Sequence, residues 1–264
     1  MRERVVTGII GIPLLLVCCY VGSWLLALLC AVLAVLAAYE LNELFLRRSF
    51  AVSFPLDTLA TLLLTWTFGL ISGMVWPFAV TTLLTVAAYI FLARYRKGSL
   101  TAGLIRACAT LYVGVGFGAL LALRLGQADW RWILTAFFNV WITDSAAHLA
   151  GSRYGRLKLA PLISPNKTWE GAGAGLVCAT LICGIYICLA LHVPFFTSLA
   201  LALLFSVAAQ LGDLGESALK RWAGVKDSGH ILPGHGGVLD RFDSLLISAP
   251  LVLWLLSSVS VGNL

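Results

Sequence analysis

Apolar residues run along this chain in long blocks almost free of charge, separated by short polar stretches. A helix needs roughly 20 apolar residues to cross a bilayer, and blocks near that length predict membrane-crossing helices. They fall at 5–20, 24–38, 56–71, 75–92, 107–123, 130–150, 171–191, 195–211 and 245–259. The first block is too closely followed by the second to be a signal peptide, and no small-residue cleavage site lies between them. Gly22-Ser23 makes the turn there instead. The expected fold is therefore an all-α polytopic transmembrane helix bundle of nine spans.

Composition narrows the class further. Of 264 residues, 60% are hydrophobic and only 11% charged, and the mean hydropathy is +0.95. Soluble domains carry about 25% charged residues, so a water-soluble fold and a disordered chain are both excluded. The seven cysteines, Cys18, Cys19, Cys30, Cys108, Cys178, Cys183 and Cys188, all lie in apolar runs and form no Cys-x-x-Cys pair. They are expected to be small apolar fillers rather than disulfides or zinc ligands. The net charge of +6 suits a neighbour of anionic headgroups or phosphorylated ligands. No basic stretch is long enough to follow a nucleic-acid backbone, so no nucleic-acid partner is expected.

The basic residues also orient the chain. With the N-terminus in the cytoplasm, 16 of the 18 Lys and Arg fall on the inner side, and only Arg124 and Arg131 on the outer. That asymmetry is what the positive-inside rule demands of nine spans with the C-terminus outside. Two halves follow. Residues 1–125 form an N-terminal scaffold of five helices, with charges at the helix ends. Residues 126–264 form the region expected to carry function, with helices six to nine and polar cytoplasmic loops at 151–171 and 220–244.

Candidate chemistry concentrates in that second half. Asp144 lies within the sixth apolar run, with His148 one turn later on the same face. A carboxylate at membrane depth costs about 2.5–3.5 kcal/mol on insertion scales, so this face borders either a hydrated site or a helix–helix polar contact. At the end of the eighth run, Asp213, Glu216, Ser217 and Lys220 fall at i, i+3, i+4 and i+7 and share one stripe. Carboxylates beside a hydroxyl make an oxygen-rich surface for a hard cation such as magnesium. The loop 220–244 mixes Lys220, Arg221, Lys226 and Arg241 with Asp227, Asp240 and Asp243, and sets Gly234, Gly236 and Gly237 around His235. Glycines let backbone N–H groups approach an anion. The mixture of both charge signs suits a metal–phosphate complex. In the other loop, the residues after Pro165 read as the start of a helix capped by Ser164 or Thr168, with Lys167 at its N-terminal end as an anion contact. Gly171, Gly173 and Gly175 are expected to form a small-residue edge for close helix packing.

These residues resemble a known family. Ser217-x-Leu-Lys220-Arg221, then Lys226-Asp227, then His235-Gly-Gly-x-x-Asp240-Arg241-Phe-Asp243 is similar to the signature of the phosphatidate cytidylyltransferases, also called CDP-diacylglycerol synthases. Ser164-Pro-x-Lys-Thr-x-Glu-Gly171 and Gly212-Asp-Leu-x-Glu-Ser217 also look like that family. The departure is at Asn166, where many members carry Lys or Gly. The resemblance implies that CTP and phosphatidic acid give CDP-diacylglycerol and pyrophosphate, with magnesium as one ion or an adjacent pair. It implies Asp213 and Asp240 as the leading metal ligands, with Asp144, Glu216, Asp227 and Asp243 as further candidates. Lys167, Lys220, Arg221, Lys226 and Arg241 would bind the phosphates. Ser164, Thr168 and Ser217 would add hydroxyl contacts, and His235 would face the leaving pyrophosphate or brace its turn. A homodimer is also implied. The compact chain without targeting extensions is expected in a bacterial inner (plasma) membrane among membrane lipid, and the sidedness of the two polar loops puts the site on the cytoplasmic face. A transporter would account for Asp144 and His148 as an ion relay but not for the two-signed loop. The Asp-Gly-x-x-Ala-Arg motif of the CDP-alcohol phosphotransferases is absent.

Overall fold

The computed structural model describes residues 2–50, 53–70, 75–95, 99–125, 130–231, 234 and 236–261. Among them the chain forms α1 (Arg2–Val21), α2 (Ser23–Arg47), α3 (Phe54–Leu70), α4 (Val75–Tyr95) and α5 (Leu100–Leu125), then α6 (Arg131–Tyr154) and two short strands, β1 (Lys158–Ala160) and β2 (Ser164–Thr168). The helices α7 (Trp169–Leu191), α8 (Phe195–Ala223) and α9 (Leu239–Val261) follow. Among the described residues every predicted apolar run lies in a helix, except that Trp130 stands just before α6; residue 71 lies outside the described residues. Four helical stretches are long and apolar enough to cross a membrane, namely Trp24–Arg47, Leu100–Leu125, Trp169–Leu191 and Phe195–Ala223. Shorter apolar stretches occur at Ile9–Val21, Phe54–Leu70 and Ala79–Phe91. This is an all-α protein of membrane type, and large apolar side chains such as Ile9, Leu28, Leu83, Leu181 and Leu189 lie exposed on its helices.

The sequence pattern misplaces one element. Residues 164–168 do not begin a helix; they pair antiparallel with β1, Lys158 opposite Thr168 and Ala160 opposite Ser164. The helix starts at Trp169, and Thr168 alone is its cap, with its hydroxyl accepting the Gly171 N–H at 3.2 Å. Ser164 and Lys167 are therefore strand residues.

The chain divides into two compact units, residues 1–128 with 222–242, and residues 129–221 with 243–264. In the first unit, α3 and α5 meet closely because Gly114 and Gly118 leave room. A methyl group at Gly114 would stand 2.6 Å from the Leu64 side chain, and one at Gly118 2.9 Å from the Thr65 carbonyl. Near the N-terminal ends of these helices, Arg106 grips both carboxylate oxygens of Asp57 at 2.6 Å. The Tyr89 hydroxyl also meets Asp57 and lies 2.8 Å from Thr110. A buried ion pair survives only when its partners are held and hydrogen-bonded like this. The second half of α2 reaches the same level, since Asn42 lines a small cavity with Asp57, Thr61, Arg106 and Thr110. At the opposite end of α5, Arg124 donates to the Cys19 and Tyr20 carbonyls at 3.0 and 3.1 Å. It thereby satisfies the open C-terminal carbonyls of α1 and complements the helix dipole there.

Residues 222–242 join this unit. Arg48 donates to the Trp222 carbonyl and stacks over the Trp222 ring, and Phe45 and Phe50 pack edge-on against that ring. Glu40 holds the far end of the segment (below).

In the second unit α6 and α7 are an antiparallel pair joined by the hairpin. Methyl groups at Gly171 and Gly175 would stand 2.7 and 2.8 Å from the Ala147 and Thr143 carbonyls. Gly173, expected on the same edge, faces open space instead, because two residues on a helix turn the side chain to another face. Polar contacts zip α6 to α8 one turn apart, with Asn139 donating to the Ala202 carbonyl at 3.0 Å and Thr143 meeting Ser206 at 2.8 Å.

Candidate active site

Helix α8 runs well past its apolar stretch, so the predicted polar stripe is helical and continuous. Its members form two i, i+4 pairs rather than one open surface. Asp213 carries Lys167 at 2.5 Å on one oxygen and the Ser217 hydroxyl at 3.4 Å on the other. Glu216 is buried and takes Lys220 at 2.6 Å. Its role in the structure is to hold that ammonium. Arg221, one residue further, donates to the Ile163 carbonyl at 3.1 Å and so fastens the end of α8 to the turn of the hairpin. The hairpin is secured at its base as well, where the Leu157 N–H donates to Glu170 at 3.2 Å.

Asp243 precedes the ninth apolar run and is half-buried. Its carboxyl is pushed up to about 7 by burial, then by the charges of Asp213 and Asp144, against the opposing pull of the Ser244 N–H and Lys220. The charges of Asp213 on α8 and Asp144 on α6 thus both reach Asp243 on α9. Asp144 and His148 are exposed, so their face of α6 is open rather than packed. The backbone is also close here, since a methyl group at Gly212 would stand 2.6 Å from the Asp243 carbonyl oxygen. The second unit therefore brings together Lys167, Asp213, Ser217, Asp243 and Asp144, with Glu216, Lys220 and Arg221 along the same helix. Among the described residues no group of three or more His, Cys, Asp or Glu side chains stands ready to hold a metal ion. The donor set nevertheless fits a hard divalent cation in kind, because it consists of carboxylate oxygens whose mutual repulsion a cation would relieve.

Of the remaining predicted residues, Lys226, Asp227, Asp240 and Arg241 lie in the first unit. Lys226, Asp227 and Arg241 are exposed. Asp240, in the first turn of α9, accepts the Ser228 N–H at 3.2 and 3.0 Å and the Gly237 N–H at 2.8 Å. His235 lies outside the described residues. Thr168 is buried with its hydroxyl spent on the helix cap, and Ser164 is half-buried in β2.

One residue in each unit holds a polar segment without an obvious sequence signal. Glu40, at first sight one of several charges ending α2, is 1% exposed and receives hydrogen bonds from Val238, Leu239 and Ser228. Gln210 donates to the Ala172 carbonyl at 3.1 Å, tying α8 to α7 just before the stripe.

The chain matches the model of the Cytidylyltransferase family over residues 2–259 and belongs to that family. It is similar to the phosphatidate cytidylyltransferase of Bacillus subtilis, at 38% identity covering 98% of this chain and 99% of that one. It is also similar to that of Staphylococcus epidermidis, at 34% identity covering 96% and 97%. With the Staphylococcus aureus enzyme of the same name the identity rises to 46% over 53% of this chain and 54% of the other.

Proposed function

We propose that this chain transfers the cytidylyl group of CTP to phosphatidic acid, giving CDP-diacylglycerol and pyrophosphate for phospholipid synthesis. The observation that carries the proposal is the cluster at the end of α8. There Lys167 sits on Asp213, with Asp243 and Asp144 close by and Lys220 and Arg221 one to two turns on. Full-length likeness to relatives named for this reaction supports it.

The nucleophile is the lipid phosphate. A phosphate monoester has a second pKa near ~6, so at neutral pH it is largely a dianion and needs no side-chain base. One of its oxygens bonds to the α-phosphorus of CTP as the bond from that phosphorus to its bridging oxygen breaks. The electron pair leaves with pyrophosphate. The obstacle is the approach of two anions, and the remedies are alignment and charge neutralisation. In this proposal Lys167, Lys220, Arg221, Lys226 and Arg241 bind the phosphates, Ser217 and Ser164 add hydroxyl contacts, and His235 faces the leaving group. Thr168 keeps to its cap. Magnesium would be held by Asp213 and Asp240, with Asp144, Asp243, Asp227 and Glu216 as supporting carboxylates, and when bound it polarises phosphoryl oxygens and offsets their charge. Glu216 supports through Lys220, which it keeps charged and aimed.

In the same proposal the protein has nine spans in a bacterial inner membrane, N-terminus and site in the cytoplasm, and works as a homodimer. The packing of the first unit supports the orientation. Arg124 ties the C-terminal ends of α1 and α5, while at the other end of these helices Arg106 on α5 holds Asp57 on α3 and Glu40 on α2 meets Ser228, Val238 and Leu239. The N-terminal end of α1 therefore shares a side with that polar segment. A reporter fused to the C-terminus should be active only outside the cytoplasm.

Purified chain given CTP, phosphatidic acid and magnesium should form a nucleotide-linked lipid, and omission of any one should stop it. Asp213→Asn should abolish the product while insertion is kept. Wild-type turnover by that variant would refute the role of Asp213.

A further inference from the structure

Within the first unit, one buried side chain of the scaffold reaches the polar segment. Glu40 lies on α2, almost 200 residues from its partners in sequence. One oxygen accepts the Val238 N–H at 2.8 Å; the other accepts the Leu239 N–H at 2.9 Å and the Ser228 hydroxyl at 3.1 Å. Val238 directly precedes α9 and Leu239 is its first residue, and N–H groups at a helix start have no partner inside the helix. A carboxylate there satisfies two of them and meets the positive end of the helix dipole. Two glycines make the approach possible. A methyl group at Gly229 would stand 2.8 Å from Glu40, and one at Gly237 2.5 Å from it. From the other side Asp240 takes the Ser228 and Gly237 N–H groups. Residues 228 and 237–239 are thus clamped between two carboxylates, one on α2 and one on α9.

We infer that Glu40 is a positioning residue for cytidylyl transfer: it pins Ser228, Val238 and Leu239 to α2 and so fixes the aim of Asp240 and Arg241, the residues that follow directly. This rests on the proposal above that residues 226–241 act on the substrates. Glu40 itself touches neither substrate. Its effect reaches the reaction through the backbone of Val238 and Leu239, where a misplacement of about 1 Å can cost on the order of 100-fold in rate.

The test uses the purified full chain in lipid nanodiscs, with turnover, KM for CTP and amide hydrogen exchange as readouts. Glu40→Gln keeps the shape but turns an amide donor toward a backbone donor. It should lower kcat about 10- to 100-fold while KM for CTP changes less, since of the proposed phosphate contacts Lys167, Lys220 and Arg221 are untouched and Arg241 is the one re-aimed. Exchange should rise in peptides covering 226–242 and stay unchanged in α3 and α5. Glu40→Asp should recover part of the loss, and Glu43→Gln, one turn away, should behave as wild type. Ser228→Ala removes only the hydroxyl bond and should cost about fivefold in kcat, so it serves even if Glu40→Gln does not accumulate. Wild-type kcat in Glu40→Gln and Ser228→Ala would overturn the inference, as would an exchange increase spread through the whole unit. If Lys226→Ala and Arg241→Ala keep wild-type turnover, the underlying proposal for the segment fails instead.

Discussion

Gly212 offers a test of the site that removes no charged group. It lies on α8 beside Asp213, where the α9 backbone passes so closely that a methyl group would sit 2.6 Å from the Asp243 carbonyl oxygen and 3.0 Å from the Ser244 Cα. Ordinary contact begins near 3.4 Å, so Gly212→Ala must push the two backbones apart by about 0.8 Å, the shortfall between those distances. Neither neighbour is a flexible side-chain end that swings aside. Overpacking of this kind costs about 1–3 kcal/mol of stability, which an otherwise sound protein survives. The shift moves Asp213 relative to Asp243 at the centre of the proposed site, and a displacement near 1 Å can cost on the order of 100-fold in rate. Gly215 is the built-in control. It lies three residues on in the same helix with nothing within 4 Å, and Gly215→Ala should be neutral or stabilising by up to about 1 kcal/mol through helix propensity. The assay is kcat on CTP and phosphatidic acid in nanodiscs, normalised to inserted protein. We expect a 10- to 100-fold loss for Gly212→Ala and less than a twofold change for Gly215→Ala. Equal activity in both would refute the claim that close α8–α9 packing sets the site.

Other predictions follow from the same geometry. Folding raises the Asp243 carboxyl from 3.8 to about 7, so the folded state binds its proton more tightly than the unfolded state. The stability this confers is full below about 4 and is lost as pH rises through about 7; in cation-free protein the melting temperature should fall over that window, and Asp243→Asn should flatten the fall. Identical pH profiles would count against it. Asp57→Ala strands the Arg106 guanidinium in the scaffold and should cost about 3–5 kcal/mol, read as a lower melting temperature or loss of inserted protein. Gly175→Ala, aimed at the Thr143 carbonyl, should weaken α6–α7 packing, whereas Gly173→Ala should not; equal melting of the two would contradict the assigned faces.

What could be read from the sequence alone depends on how local each cause is. Apolar runs declare helices because the bilayer imposes length and hydropathy on each segment by itself. The stripe from Asp213 to Lys220 was legible because the helix repeat places it. The strand at 164–168 was not, since Pro165 and Thr168 fit a helix start and the deciding partner is Lys158, ten residues earlier. The same holds for Gly173, where alternate glycines look like one edge but helix geometry selects Gly171 and Gly175. Glu40 was invisible for a stronger reason. Next to Glu43, Arg47 and Arg48 it looks like an ordinary charged helix end, and its partners stand at 228, 238 and 239. The same contact helps to explain why residues 222–242 belong with the N-terminal unit, since Glu40 on α2 bonds to Val238.

The central claim is a transfer of the cytidylyl group, and the fate of each phosphorus atom tests it most directly. Purified chain in phosphatidic acid nanodiscs is given magnesium and CTP labelled either at the α- or at the γ-phosphorus. The account predicts α-label in the lipid, γ-label in pyrophosphate, and the two in equal amounts. Entry of γ-label into the lipid, or release of α-label as free nucleotide without a lipid product, would contradict it.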